Sequence, residues 1–217
     1  MKIDIIKHIL LILNMIIYSI VIMACNSIQI QPIPEKKKIY IVDGDIFTKE
    51  EIQATINKAY MLETGSKMND KNMKTYIEVL YFASNYFKLD YKDIIAIITI
   101  ESEWNPMAYG KNWNGTEDIG LCQINTIHLS EDYRIAKQIC LKYKIPHTNS
   151  LYDVSLNILS AFIYMNDMRM KMISENRYYY RRYIVSYNTG YNGSVSKYYR
   201  VSADKYWNRF IKIRSKI

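Results

Sequence analysis

The sequence has little of what usually carries metal, redox or nucleotide chemistry. Three cysteines and three histidines are spread over 217 residues. His8, His128 and His147 share no ligand spacing with one another or with the cysteines, so no metal site is expected. None of the seven glycines belongs to a phosphate-cradling loop, and no cofactor is expected. Internal repeats are missing as well. Beyond Cys25 the thiols are Cys122 and Cys140, too few for a disulfide framework. An exported pair could be joined, but both lie in otherwise apolar sequence that suits two small buried thiols.

What is present suffices for one core and little more: 49% hydrophobic and 23% charged residues point to one domain with an appendage. The net charge of +8 and isoelectric point near 9.2 fit a polyanionic neighbourhood. Nucleic acid, anionic lipid and an acidic cell wall would all provide one. Much of that charge, such as Lys36 to Lys38 or Arg181 and Arg182, is equally explained as solvated surface.

The N-terminus is more informative. Lys2 and Lys7 precede an apolar run from Ile9 to Met23 that ends in Ala24-Cys25, the pattern of a secretory signal. The run includes Asn14 and falls short of the roughly 20 apolar residues that span a bilayer comfortably. Ile22-Met23-Ala24-Cys25 resembles the bacterial lipobox, in which Cys25 would be acylated and tether the chain to a membrane. An uncleaved signal-anchor helix is the alternative, and both readings export the protein. Residues 1–25 are therefore read as signal or anchor. Residues 26–47, with Pro32, Pro34, a Lys run and Asp43-Gly44-Asp45, form a tether. The domain itself occupies 48–217. Export and the lack of a recognition motif disfavour nucleic acid as a partner.

Helical periodicity begins at Thr48, whose spacing to Glu51 makes a capping box for a helix reaching about Glu63. A second helix carries Tyr76, Val79, Leu80, Ala83 and Phe87 on one stripe. Asp90 caps a third, with Ile94, Ile97 and Ile98 on one buried face. Glu101 continues that face near the helix end that Asn105-Pro106 imposes, whereas Glu103 points away. From Met107 to Asn125 the period disappears among turn formers, predicting a small hairpin or irregular β region. Helices are predicted again over 131–143, Asp153–Ile173, 178–187 and 194–212, with a turn at Asn188–Gly193. The tyrosine-rich stretch Tyr178–Tyr183 could offer stacking faces to sugars, or pack on neighbouring helices.

A carboxyl on an apolar face at a helix C-terminus is held protonated by desolvation and by the negative end of the helix dipole. That is what a general acid needs near neutral pH. Position alone is equally compatible with a structural carboxyl bonded to nearby backbone.

Three ordered motifs separate these readings. Glu101-Ser102-Glu103-Trp104-Asn105-Pro106, Asp118-Ile119-Gly120-Leu121-Cys122-Gln123-Ile124-Asn125 and Ser186-Tyr187-Asn188-Thr189-Gly190 resemble the lytic transglycosylase and lysozyme superfamily. The likeness runs from about 90 to 193 and is closest in motif to the transglycosylases of secretion and conjugation machines. The resemblance implies a lysozyme-like α+β fold, predominantly α with a small β-hairpin region. It also implies cleavage of the bond between N-acetylmuramic acid and N-acetylglucosamine in peptidoglycan. It gives Glu101 the role of catalytic acid and base, and it places Ser102, Gln123, Asn125, Tyr187 and Asn188 along the sugar groove. Cys122 departs from the family's usual methionine. Glu117 has no counterpart and is read as a surface charge.

Asp118 follows Glu101 by the interval that separates the two carboxylates of animal-type lysozymes. It could serve as nucleophile or electrostatic stabiliser if it lies roughly 5 Å away, or it could simply cap a turn. Without it, the substrate's acetamido group would assist and the muramyl 6-hydroxyl would close a 1,6-anhydro ring. The Tyr187-Asn188-Thr189-Gly190 motif matches the transglycosylase pattern and favours the anhydro product. A hydrolytic muramidase using Glu101 and Asp118, or a wall-binding lipoprotein without catalysis, are the alternatives. Expected partners are thus peptidoglycan strands, a membrane through the N-terminal anchor, and an envelope secretion apparatus.

Overall fold

The computed structural model describes residues 46–217, apart from the side chains of Leu129 and Ser130. The export signal, Cys25 and nearly all of the tether lie outside the described residues. Seven helices and one small sheet make up the described part.

Helix α1 (Lys49–Thr64) starts on the Thr48–Glu51 capping box and stops at Gly65, whose φ of 70° closes the last turn at low strain. Helix α2 (Asp70–Phe87) follows an Asn69 cap and buries its whole predicted stripe. Helix α3 (Tyr91–Ser102) is capped by Asp90, whose side chain accepts from the Lys92 N–H. Its burial is wider than the single face expected. Ile95, Ala96 and Ile100 are enclosed together with Ile94, Ile97 and Ile98, because α3 runs through the middle of the domain against α1, α2, α5 and α7. Each fully buried isoleucine contributes about 1.5–3 kcal/mol, so the helix that carries Glu101 is among the most firmly held parts of the molecule.

The β region is a three-stranded antiparallel sheet of β1 (Tyr109–Lys111), β2 (Glu117–Ile119) and β3 (Ile124–Asn125) in sequential order. Asp118 stands opposite Gly110 on one side and Asn125 on the other. It is therefore a strand residue and not a turn cap.

Three helix boundaries differ from expectation. Helix α4 (Thr126–Tyr143) begins five residues earlier than 131, because Asn125 caps it through the Ile127 N–H. Helix α5 (Val154–Ser174) starts on the Asp153 cap as its sequence implied. Helix α6 (Tyr180–Val195) runs on through Asn188 and Thr189, and only Gly190, at φ 68° and ψ 171°, interrupts it. A short 3-10 turn (Lys197–Tyr199) then leads into α7 (Arg200–Arg214), later than the predicted 194. Turn-forming residue types thus sit inside helix α6. Thr189 Oγ bonds back to the Val185 carbonyl, and a Cβ at Gly193 would lie 2.8 Å from that of Thr189, so the glycine permits the last turn. Of Tyr178–Tyr183, Tyr183 is buried and Tyr178, Tyr179 and Tyr180 are exposed, with Tyr180 donating to Asp93. Cys122 and Cys140 are both free and buried.

Candidate active site

Glu101 lies in the last turn of α3. The chain reverses immediately after it. Glu103 and Trp104 both adopt left-handed backbone, with φ of 52° and 68°, so the helix stops before Asn105-Pro106 comes into play. Such angles cost non-glycine residues about 1–2 kcal/mol each. Trp104 offsets the strain by burying its indole against Tyr60 and Tyr76 and donating from Nε1 to Thr99 Oγ. This reversal leaves the Glu101 carboxyl at the end of the apolar helix, facing an open cavity of about 320 Å3.

Desolvation is the main influence on that carboxyl and raises its pKa from 4.5 to about 7. Asp118 pushes in the same direction, while a hydrogen bond from Tyr206 and the charge of Arg209 pull the other way. Tyr206 OH donates to Glu101 Oε1 at 2.9 Å, and α7 thereby reaches back across the domain to fix the acid.

The sheet forms the opposite wall. Asp118 Oδ2 accepts from Asn112 Nδ2 at 2.9 Å and Oδ1 accepts from Asn125 Nδ2 at 2.7 Å. Asn125 also donates to Thr116 Oγ, and its Oδ1 caps α4. Both carboxylate oxygens are therefore anchored by amides that are themselves held. Gly120, at φ 78°, lets the chain turn out of β2 where a Cβ would meet Asn157 Nδ2 at 2.5 Å. The buried Asn157 donates to the Ile119 carbonyl and accepts from the Cys122 N–H, riveting the sheet to α5. Gln123, at φ 48°, donates to the Gly120 carbonyl.

Helix α6 supplies the third side. Tyr187 OH donates to the Cys122 carbonyl at 2.6 Å, and Asn188 Oδ1 accepts from Ser202 Oγ. Among the expected site residues, Glu101, Asp118, Gln123, Asn125, Tyr187 and Asn188 all line the one cavity. Ser102 does not. Its hydroxyl turns inward to the Ile98 carbonyl, because one residue further along α3 faces the core. Glu117 accepts from Tyr109 OH, so it is a paired surface charge.

Several residues that the sequence reading passed over also belong here. Tyr206 lay beyond the resemblance, and its contact spans 105 positions. Asn112, Trp113, Asn114 and Thr116 come from the β1–β2 turn, and His128 and Tyr164, with Ile124, Ile127 and Gly190, complete the lining. Sequence offers His128 only as a candidate metal ligand without partners; burial lowers its pKa, and its ring rests against Tyr164. The Asn112–Asn114 side chains flanking a turn had no signal beyond turn propensity. Five side-chain amides line the cavity, and among the described residues no Lys or Arg does. Such a surface can recognise uncharged hydroxyl and acetamido groups by hydrogen bonding, with one proton carrier and one fixed carboxylate facing them.

Comparison with known proteins agrees with this arrangement. The family model of the transglycosylase SLT domain matches residues 78–210, a span that takes in α7 and Tyr206. Invasion protein IagB of Salmonella typhimurium is 26% identical over 132 residues, 61% of this chain and 74% of that protein. The membrane-bound lytic murein transglycosylase E of Buchnera aphidicola is 32% identical over 139 residues, 63% of this chain and 58% of that protein. No solved structure matches. With a helix-borne acid facing a small sheet inside the matched span, the chain belongs to the transglycosylase SLT domain family, the lytic transglycosylases of the lysozyme-like superfamily.

Proposed function

We propose that this chain cleaves the β-1,4 bond between N-acetylmuramic acid and N-acetylglucosamine in peptidoglycan, with Glu101 as its general acid and base and a 1,6-anhydromuramyl end as product. The observation that carries this reading is the Glu101 carboxyl itself. Its pKa of about 7 leaves about half of it protonated at neutral pH, where an ordinary carboxyl would be almost fully ionised, in an amide-lined cavity that suits N-acetylated sugars.

Protonated Glu101 gives its proton to the glycosidic oxygen as the bond from C1 to that oxygen breaks. The Glu101 carboxylate then takes the proton of the muramyl 6-hydroxyl while that oxygen bonds to C1. No water is consumed, and Glu101 ends protonated, ready for another turn. Asp118 stabilises the positive charge that develops at C1. With Oδ1 and Oδ2 each accepting an amide hydrogen bond, its carboxyl group is held in place on the sheet wall of the cavity. Gln123, Asn125, Tyr187 and Asn188 bind the sugars.

Mass spectrometry of products released from purified sacculi tests this. Anhydro-muropeptides are expected from the wild-type chain and none from Glu101→Gln. Reducing muramyl ends would instead establish hydrolysis. In that case Asp118, which lines the same cavity as Glu101, would be the second carboxylate, and Asp118→Asn would stop the reaction.

The same reading places the protein at the cell envelope, tethered through acylated Cys25. The Ile22-Met23-Ala24-Cys25 motif supports this, and so does the membrane-bound character in the Buchnera relative's name. The likeness of the Asp118–Asn125 motif to the transglycosylases of secretion and conjugation machines supports recruitment by a secretion apparatus. Incorporation of labelled palmitate, abolished by Cys25→Ser, is the expected sign of the anchor, and equal labelling of both chains would remove it.

A further inference from the structure

We propose that Trp113 is a stacking platform for a hexopyranose ring, holding the glycan strand at the cavity's outer rim; the inference rests on the glycan reading above. The indole is 97% exposed. The other two tryptophans are not used this way, since Trp104 is buried and Trp207 is part-buried against Phe210 and Tyr180. A fully exposed indole contributes nothing to the fold, and exposed aromatics of this size are uncommon without a partner.

The turn that presents it is stiff. Asn112 N–H donates to the Thr116 carbonyl at 2.8 Å, and Gly115 N–H donates to that of Asn112 at 3.0 Å. Thr116 donates to Asn114 Oδ1 through both its N–H and its hydroxyl. Asn112 Nδ2 donates to Thr116 Oγ and to Asp118 Oδ2. The indole is thus carried on a turn whose first residue, Asn112, also anchors Asp118, so little backbone freedom is lost on binding.

Its surroundings identify the ligand. Trp113 lines the cavity together with its neighbours Asn112 and Asn114, so an apolar face stands beside two amides. A pyranose has the complementary form: a flat C–H face for the indole, with equatorial hydroxyl or acetamido groups at its edge for the amides. A lipid surface would meet the same indole but would not match the amide atoms that the turn's own hydrogen bonds leave over, Asn112 Oδ1 and Asn114 Nδ2, and it is the rival outcome.

The full chain carrying Glu101→Gln permits binding without turnover. Titration with the N-acetylglucosamine hexamer is expected to shift tryptophan emission to the blue, and Trp113→Ala in that background is expected to remove the shift. In the catalytically intact chain, Trp113→Ala is expected to raise KM for peptide-free glycan strands about tenfold, with kcat changed far less, and Trp113→Phe to recover part of the loss. Unchanged thermal unfolding of Trp113→Ala would show that the fold is intact, as the exposure implies. An unaltered KM together with a shift that persists in Trp113→Ala would overturn the proposal. So would a shift produced by phosphatidylglycerol vesicles and not by the oligosaccharide. A Trp113-dependent shift in a chain that releases no anhydro product would sustain the platform and sink the cleavage reading, so the two fail separately.

Discussion

Replacing Glu101 by Gln should make this protein more stable, by an amount that depends on pH. A carboxyl ordinarily near 4.5 is held at about 7 in the folded chain. The folded state therefore binds its proton more tightly than the unfolded state, and stability falls as pH rises. The stabilisation tied to the proton is complete below about pH 4.5, drains away as pH rises towards 7, and is gone above it. At about 1.4 kcal/mol per pH unit, the ionised carboxylate costs about 3 kcal/mol. Glutamine cannot ionise, yet it keeps a carbonyl oxygen for the Tyr206 hydroxyl. Urea denaturation of both chains at about pH 5 and pH 8 cancels every other titration they share. Glu101→Gln should gain about 1 kcal/mol or less at the lower pH and about 3 kcal/mol at the higher. A gain of equal size at both, or a loss at pH 8, would refute the claim that burial holds this acid protonated.

The neighbours of Glu101 should move its titration in opposite directions. Tyr206→Phe removes a bond that favours the carboxylate, so the alkaline limb of the pH–rate profile should shift upward while kcat falls several-fold from loss of positioning. Asp118→Asn removes a like charge and should shift that limb downward; pH profiles of muropeptide release distinguish the two. Gly120→Ala combines left-handed strain with a collision against Asn157 and should cost about 2–4 kcal/mol in chemical denaturation. Glu103→Gly relieves a left-handed residue at the loss of only a long, exposed contact with Arg209, and should raise stability by up to about 1 kcal/mol.

The parts of the site that could be read from sequence are those set by local rules. Asp90, the isoleucine spacing and the break after Glu101 defined α3 and put Glu101 at its apolar end, and the three motifs gave that carboxyl its expected role. Thr48 with Glu51, and Asp153, likewise announced the starts of their helices. What could not be read depends on partners distant in the chain. Tyr206 reaches Glu101 across 105 positions, and Asn157 stitches the sheet to α5 across 35 and 38. Nothing local marks either. The break expected at Asn188–Gly193 is there but narrower: helical residues packed against α5 and α7 continue on both sides of it, and the kink falls at Gly190 alone. Ser102 shows the limit of motif transfer, since its neighbourhood to the acid in sequence is not neighbourhood in the cavity.

The bare lining of the cavity divides labour between surface and interior. The chain carries a net charge of +8, yet no Lys or Arg of the described residues borders the space that Glu101 faces. Attraction to an anionic wall therefore acts from outside, over a range of about 8 Å at physiological ionic strength, and Arg209, set back from the lining, lowers the acid's affinity for its proton by less than burial raises it. Added salt should slow the meeting of enzyme and strand and leave the breaking of the bond nearly untouched. A protein built this way can adhere strongly to a charged polymer while its acid stays tuned to a neutral one.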